Sequence, residues 1–393
     1  MTALRRARQA LLAPVLAVVV ALLISALVML AIGVNPADAL RVMVHFGDTP
    51  AQQVTAVVVI LNRAIPLFLA GLAVAIAFRM GLFNIGVEGQ YRMATVLAAG
   101  AGAAVTLPGP LHVALIVLVA VVVAAAWAAI VAVLKVTRGV SEVISSIMLN
   151  FVALGTASYL LTGPLRGSAP GESIVTTKEI PRSGWMPSLN GLFDLFGLAN
   201  PPRQLYGFLV VAIVVGVVVA VLLQRTRFGF DLRATGLSPS AAAASGVDAR
   251  GMVIKTMLLS GAVAGLIGLP DLLGRDHNYG TEFTSGLGFL GIAVALLGRN
   301  SPVGIAFGAL LFAFLDRASV PLQIEQIPSS VVTIIQGTIV LAVVIANEVA
   351  RRLTRRSAES GTTTAPAAPP PDEGAATGPA VGAVPGGSKE AGR

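Results

Sequence analysis

The chain has 393 residues, of which 55% are hydrophobic and only 12% charged, and it contains no cysteine. A soluble globular domain carries roughly twice that share of charge, so much of this surface must face something other than water; disulfides and thiolate metal sites are excluded. The net charge of +8 could suggest nucleic acid, but aromatics are only 5% and the basic residues gather beside apolar runs, the pattern that orients a membrane protein.

Apolar runs that read as membrane helices, for which about 20 residues suffice, occur at 11–32, 54–78, 93–107, 112–136, 145–161, 206–223 and 253–273. Two shorter pieces follow at 287–297 and 303–315, split by Gly298 to Pro302, and a last run covers 329–346. The first run follows arginines but is long for a signal peptide and lacks a clear cleavage site, so it reads as a retained helix. The expectation is an all-α polytopic membrane protein with about ten transmembrane or re-entrant helices.

The basic clusters are Arg5, Arg6 and Arg8; Lys135 and Arg138; Arg225, Arg227 and Arg233; and Arg351, Arg352, Arg355 and Arg356. Keeping them on one side makes residues 1–10 a cytoplasmic N-terminus and returns the C-terminus to the cytoplasm. The transmembrane domain is then 11–350, with an ordered external loop at 162–205 and a cytoplasmic loop at 224–252. Residues 357–393, mostly Ala, Pro, Gly, Thr and Ser without periodicity, read as a disordered cytoplasmic tail.

Within the second run, Asn62 and Arg63 precede Pro66. An arginine inside a span costs about 2.5–3.5 kcal/mol on insertion scales, so Arg63 needs a partner, a cavity or room to snorkel. Next, Gly81 to Gln90 places Asn84, Glu88 and Gln90 among glycines between apolar runs. The segment reads either as a broken helix lining a passage or as a cytoplasmic turn bracketed by Arg79 and Arg92. A comparable break, with Gly286, Gly288 and Gly291, falls at a similar offset in the second half, as expected for a pathway built from repeats.

In 141–151, Glu142, Ser145, Ser146 and Asn150 give one helix face polar character. Asn150, deepest in the apolar run, serves either a pathway or an interhelical hydrogen bond. Ser238 and Pro239 form a helix start, the small residues 240–245 favour helix, and Gly246 is a natural stop. This short helix is either a connecting turn or a face that a partner approaches closely. The three histidines, His45, His112 and His277, lack ligand spacing and read as interfacial, so no metal site and no cofactor are expected. GxxxxGK[ST], HExxH and GxSxG sequences are absent, which disfavours ATP hydrolysis by this chain and intramembrane hydrolysis.

The segments 81–90 (with Asn84-Ile-Gly-Val-Glu-Gly-Gln90), 141–150, 232–242, 260–268 and 288–302 resemble permease subunits of bacterial ABC importers. The superfamily is that of branched-chain amino-acid and simple-sugar permeases, and the 84–90 form is closest to its nucleoside-type branch. The resemblance implies a bacterial plasma-membrane transport subunit importing nucleosides, not an enzyme, with ATP hydrolysis in separate ATPase subunits. Its further partners would be a second permease, commonly a different chain in this branch, an extracytoplasmic solute-binding protein, and the lipid bilayer. It implies substrate-pathway roles for Asn62, Asn84, Glu88, Gln90 and Asn150. It also makes 239–245 the coupling helix, with Arg233, Gly236, Pro239, Ala242, Ala243 and Gly246 at the ATPase contact; Ser238 stands where relatives often carry Asn. A simple sugar or an amino acid as cargo is the first alternative. An ion-coupled transporter is the second, for which only Glu88 offers an intramembrane carboxylate in this reading.

Overall fold

The computed structural model describes residues 23–345 apart from 32, 170, 196, 198, 199, 326, 329, 343 and 344. The expected N-terminus, most of the first span, the C-terminal arginines and the tail at 357–393 lie outside the described residues. Two short helices, α1 (Leu23–Ala31) and α2 (Pro36–Val44), lead into α3 (Pro50–Phe78). The start of α3 is set locally: the Thr49 hydroxyl accepts from the Gln52 amide, Gln52 returns a carbonyl to the Thr49 N–H, and Pro50 occupies the first turn. Pro66 lies inside the helix.

After α3 the chain passes through 79–86 into α4 (Val87–Ala104), then α5 (Gly109–Arg138) and α6 (Glu142–Thr162). The segment between α6 and α8 contains a one-turn 3-10 helix at Arg182–Gly184 and α7 (Gly191–Leu195), followed by α8 (Phe208–Arg225), α9 (Arg227–Leu237) and α10 (Pro239–Ala244). α11 (Ala249–Ala264) continues through α12 (Leu269–Asp271) and a π turn (Leu272–Asp276). α13 (Leu287–Leu297), α14 (Pro302–Ile324) and α15 (Ser330–Ala342) complete the described chain. Among the described residues there are isolated β-bridges but no strands.

Among the described residues, six helical segments are long and apolar enough to cross a membrane: α3, α5, α6, α8, Ala249–Asp276 and α14. The helices α13 and α15 are apolar but shorter. α4 begins at Val87, whereas the sequence reading starts it at 93. Burial of Glu88 and Gln90 by neighbouring helices lets polar residues occupy its first turn. α14 likewise runs past the expected end at 315, because Asp316 finds a cationic partner and need not terminate the helix.

The main core forms around α3, which packs against α8, α11, α13 and α14, while α4 and α11 both pack on α5. α11 approaches α5 through Gly261 and Gly265, which lie against Ala120, Ala124 and Ala128. Small residues four apart let spanning helices come close enough for dispersion contacts, the main attraction available in lipid. A smaller apolar cluster joins α1, α2, α14 and α15. His112, in the first turn of α5, is fully buried within the protein, with its ring nitrogens at 2.8 Å from the Gly102 carbonyl and from the Ser183 hydroxyl.

Candidate functional site

The polar residues of 84–90 form a knot between helices. Asn84 and Gln90 are fully buried and exchange reciprocal amide hydrogen bonds of 2.9 and 3.1 Å. The Asn84 amide also donates to the Ser260 hydroxyl of α11 at 2.8 Å, and Ser260 donates to the Ala73 carbonyl of α3 at 2.6 Å. Asn150 of α6 accepts from the Gly89 N–H at 2.9 Å and donates to the Ile85 carbonyl at 3.0 Å. Glu88, 6% exposed, accepts from the Gly286 and Gly288 amides at 2.9 Å each, from Arg92 at 2.8 Å and from the Tyr91 hydroxyl at 3.1 Å. A carboxylate at the amino end of α13 satisfies its otherwise unpaired N–H groups and suits its dipole. The two breaks noted in the sequence are therefore joined directly, through Glu88.

The knot brings Asn84, Glu88, Gln90 and Asn150 together as partners of one another and of the backbone. Glu142 lies nearby, 2.6 Å from the Lys135 ammonium, while Ser145 and Ser146 donate to carbonyls of the preceding turn. The polar face of α6 is thus largely spent on helix packing.

The α9–α10 loop sits against the chain that leads from α3 into the knot. Ser238 caps α10 by accepting from the Ala241 N–H at 3.3 Å, Pro239 fills the first turn, and Gly246 takes a left-handed φ of 85° beyond its end. Arg233 donates to the Leu223 carbonyl, the end of α8. Gly236 touches the chain between α3 and α4 so closely that a Cβ there would lie 2.9 Å from the Arg79 carbonyl oxygen. Arg79 in turn donates twice to the Asn300 carbonyl, at 2.9 and 3.0 Å, tying this junction to the α13–α14 turn. Burial and the charge of Arg233 hold the Arg79 guanidinium somewhat below its ordinary pKa. Ala242 is 4% exposed and turned into its own chain, whereas Ala243 is exposed. Leu237 (89% exposed) and Phe230 (63%) present apolar surface beside the short helix; sequence reading passes over them because an isolated apolar residue in a polar loop carries no periodic signal.

Roughly 24 Å from Arg79 along α3, at 1.5 Å per residue, lies a polar cavity of about 760 Å³. Asn62 and Arg63 line it, with Tyr206, Asp271, Arg275, His277 and Asp316. Arg63 and Asp316 pair at 2.7 Å across α3 and α14, and Gln336 of α15 donates to the other Asp316 oxygen at 2.9 Å. Arg275 makes a two-pronged contact with Asp276 at 2.7 and 2.9 Å and lies 3.6 Å from Asp271. Asn62 donates to the Gln204 carbonyl at 2.8 Å and accepts from the Tyr206 N–H at 2.9 Å. Burial, with the nearby Asp271 charge, pushes the Tyr206 phenol up to about 12, keeping it a neutral donor. His277 stacks on Trp185 of the segment between α6 and α8 at 3.7 Å between ring centroids.

Only Asn62 of the expected pathway residues reaches this cavity. Asp271 and Asp316 were missed, so Glu88 is not the sole carboxylate among the spanning helices. A charged residue within an apolar run was the available signal. Among the described residues no group of three His, Cys, Asp or Glu could hold a metal ion.

Residues 56–344 match the family model "Branched-chain amino acid transport system / permease component". The chain is 35% identical to a glucose ABC transporter permease of Haloferax volcanii, over 84% of this chain and 85% of that one. It is 34% identical to a guanosine ABC transporter permease of Bacillus subtilis, over 85% of this chain and 92% of the relative. A nucleoside ABC transporter permease of Lactococcus lactis subsp. cremoris is 30% identical, over 85% and 90%. The same two bacteria each contribute a second permease of the same name type that matches at 27% identity. With its apolar spans, the chain is a multi-pass plasma-membrane protein. It belongs to the branched-chain amino acid transport system permease family, as an ABC transporter permease component similar to nucleoside and glucose permeases.

Proposed function

We propose that this chain forms part of the translocation pathway of an ATP-driven importer for nucleosides. Its partners would be ABC ATPase subunits beneath it, a second and different permease beside it, and an extracytoplasmic solute-binding protein above. The similarity to guanosine and nucleoside permeases at 34% and 30% identity supports the cargo. The 35% match to a glucose permease supports a simple sugar as the second reading.

The observation that carries the coupling role is Gly236 seated on Arg79 and Met80. In this reading both termini are cytoplasmic, α10 docks on the ATPase through the surface that includes Pro239 and Ala243, and Arg233 and Ala242 hold the loop in shape. Gly246 ends the helix. Displacement of the loop would press on the junction that leads into the knot. Asn84, Glu88, Gln90 and Asn150 would then frame the inner pathway and exchange partners as it opens, with Asn62 at its outer end. Networks with discrete alternative pairings suit a two-state change better than gradual deformation.

The test is uptake of labelled guanosine, glucose, ribose and leucine in cells with and without this chain, with an ionophore present. Loss of guanosine uptake alone, dependent on ATP and indifferent to the ionophore, is expected. Loss of glucose uptake with guanosine unchanged would overturn the cargo; collapse with the ionophore at constant ATP would overturn the ATP-driven machine.

A further inference from the structure

We infer that the polar cavity between α3, α12 with its following π turn, and α14 is a reception site for a neutral, polyhydroxylated group, held by a vicinal diol against the Arg63–Asp316 pair. The inference rests on the transport reading above and adds a binding site and a chemical class to it.

Size comes first. A cavity of about 760 Å³ lies within the range of small-molecule sites, roughly 300–1,000 Å³, and admits a hexose or a whole nucleoside. Charge comes next. Arg63 is neutralised by Asp316 and Arg275 by Asp276 and Asp271, while Arg317, which donates to the carbonyls of Met43 and His45, and Arg203 line the cavity without a carboxylate partner among the described residues. At the Arg63–Asp316 pair itself, an anionic group would have to break the pairing to gain the cation, and a cationic one would have to displace a guanidinium. Either exchange costs desolvation that the new contact barely repays. A neutral solute disturbs neither.

The pairs also retain hydrogen-bonding capacity. Arg63 reaches Asp316 through Nε, and its two Nη groups carry further donors. Asp316 accepts from Arg63 on one oxygen and from Gln336 on the other, and each carboxylate oxygen has a second lone pair. A diol hydroxyl can therefore donate to Asp316 while its neighbour accepts from Arg63, a charge-assisted arrangement that leaves the ion pair intact. Both side chains are about a quarter exposed, at 27% and 26%, so they face the cavity rather than being sealed from it. The ribose of a nucleoside and the ring of a hexose share this chemistry.

The experiment uses the assembled transporter in lipid nanodiscs. The chain has only two tryptophans, so Trp127→Phe leaves Trp185, stacked on the cavity residue His277, as this chain's reporter, and subtracting the same titration of a transporter that also carries Trp185→Phe removes emission from the partner chains and scaffold. Titration with guanosine, D-ribose and D-glucose is expected to change Trp185 emission saturably for at least one of them, and choline and acetate to leave it unchanged. If guanosine binds, 2′,3′-dideoxyguanosine, which lacks the diol, is expected to bind at least about tenfold more weakly, the loss of one charge-assisted contact. Exchanging the pair, Arg63→Asp with Asp316→Arg, is expected to lower affinity by a similar factor in complex that still co-purifies with its partner subunits. Saturation by glucose but not guanosine would support this site and overturn the nucleoside cargo. Equal binding of guanosine and its dideoxy analogue would overturn the diol site while leaving guanosine import standing. So would full affinity in the exchanged variant, or no response to any of the three in a transporter that imports guanosine.

Discussion

Removing the Glu88 carboxylate would strip an acceptor from the amides of Gly286 and Gly288, from Arg92 and from the Tyr91 hydroxyl at once. Loss of one partner of a buried ion pair costs about 3–5 kcal/mol. Glu88→Ala is thus expected to lower the melting temperature of the purified complex sharply, and Glu88→Gln, which keeps one acceptor oxygen, to lower it less. Equal melting of the two would argue against the capping role. His277 adds a pH response. Burial lowers its pKa below the ordinary 6.5, so the folded protein holds the ring neutral while the unfolded chain protonates more readily. Its contribution is full above about pH 6.5 and is lost as pH falls towards and through the lowered folded value. Trp185 emission in a Trp127→Phe background is expected to shift over that acid range, and His277→Phe to abolish the shift. Residue chemistry was legible here in type but not in partnership. Glu88 announced itself as costly in lipid, yet the amide it binds lies 198 positions away, beyond any spacing argument.

Elements whose ends are decided locally were the easiest to read. The start of α10 rests on Ser238 and Pro239 alone, and the start of α13 agrees with the sequence reading. The start of α4 and the end of α14 were misplaced because tertiary partners, α13 for Glu88 and Arg63 for Asp316, absorb polar groups that would otherwise close a span. The α9–α10 loop gives a prediction at this scale. Gly236→Val would push a side chain into Arg79 and Met80, and uptake is expected to fall at least about tenfold, a barrier change of about 1.4 kcal/mol, with the ATPase still bound. Wild-type uptake would separate the loop from the junction. Two neighbours then distinguish shape from docking. Ala242→Arg, buried in its own chain, is expected to abolish uptake and lower the melting temperature. Ala243→Arg, which is exposed, is expected to abolish uptake and ATPase co-purification with the melting temperature unchanged.

At the scale of the whole molecule, α3 is the common member. It carries the cavity residues Asn62 and Arg63 near its middle, Ala73 in the knot, and the junction at Arg79 at its end. Pro66 lies between the first pair and the rest. A proline inside a soluble helix costs about 3 kcal/mol and permits a bend. Pro66→Ala is expected to raise the melting temperature and to slow uptake per ATP hydrolysed; faster uptake would show that the bend has no part in transport. The class of the fold was plain in hydropathy and charge, because lipid admits so few backbone arrangements. The polar cavity was not, since its walls come from residues 62, 206, 271 and 316, which only the closed bundle makes neighbours.

Pro66 has one more effect. Lacking an N–H, it cannot bond the carbonyl four residues earlier, which belongs to Asn62. The residue whose side chain fastens the chain before α8 to the cavity wall therefore also carries a main-chain oxygen left uncommitted by its own helix. Within a spanning helix such an oxygen must find its hydrogen bond from water or from a donor outside the helix ladder.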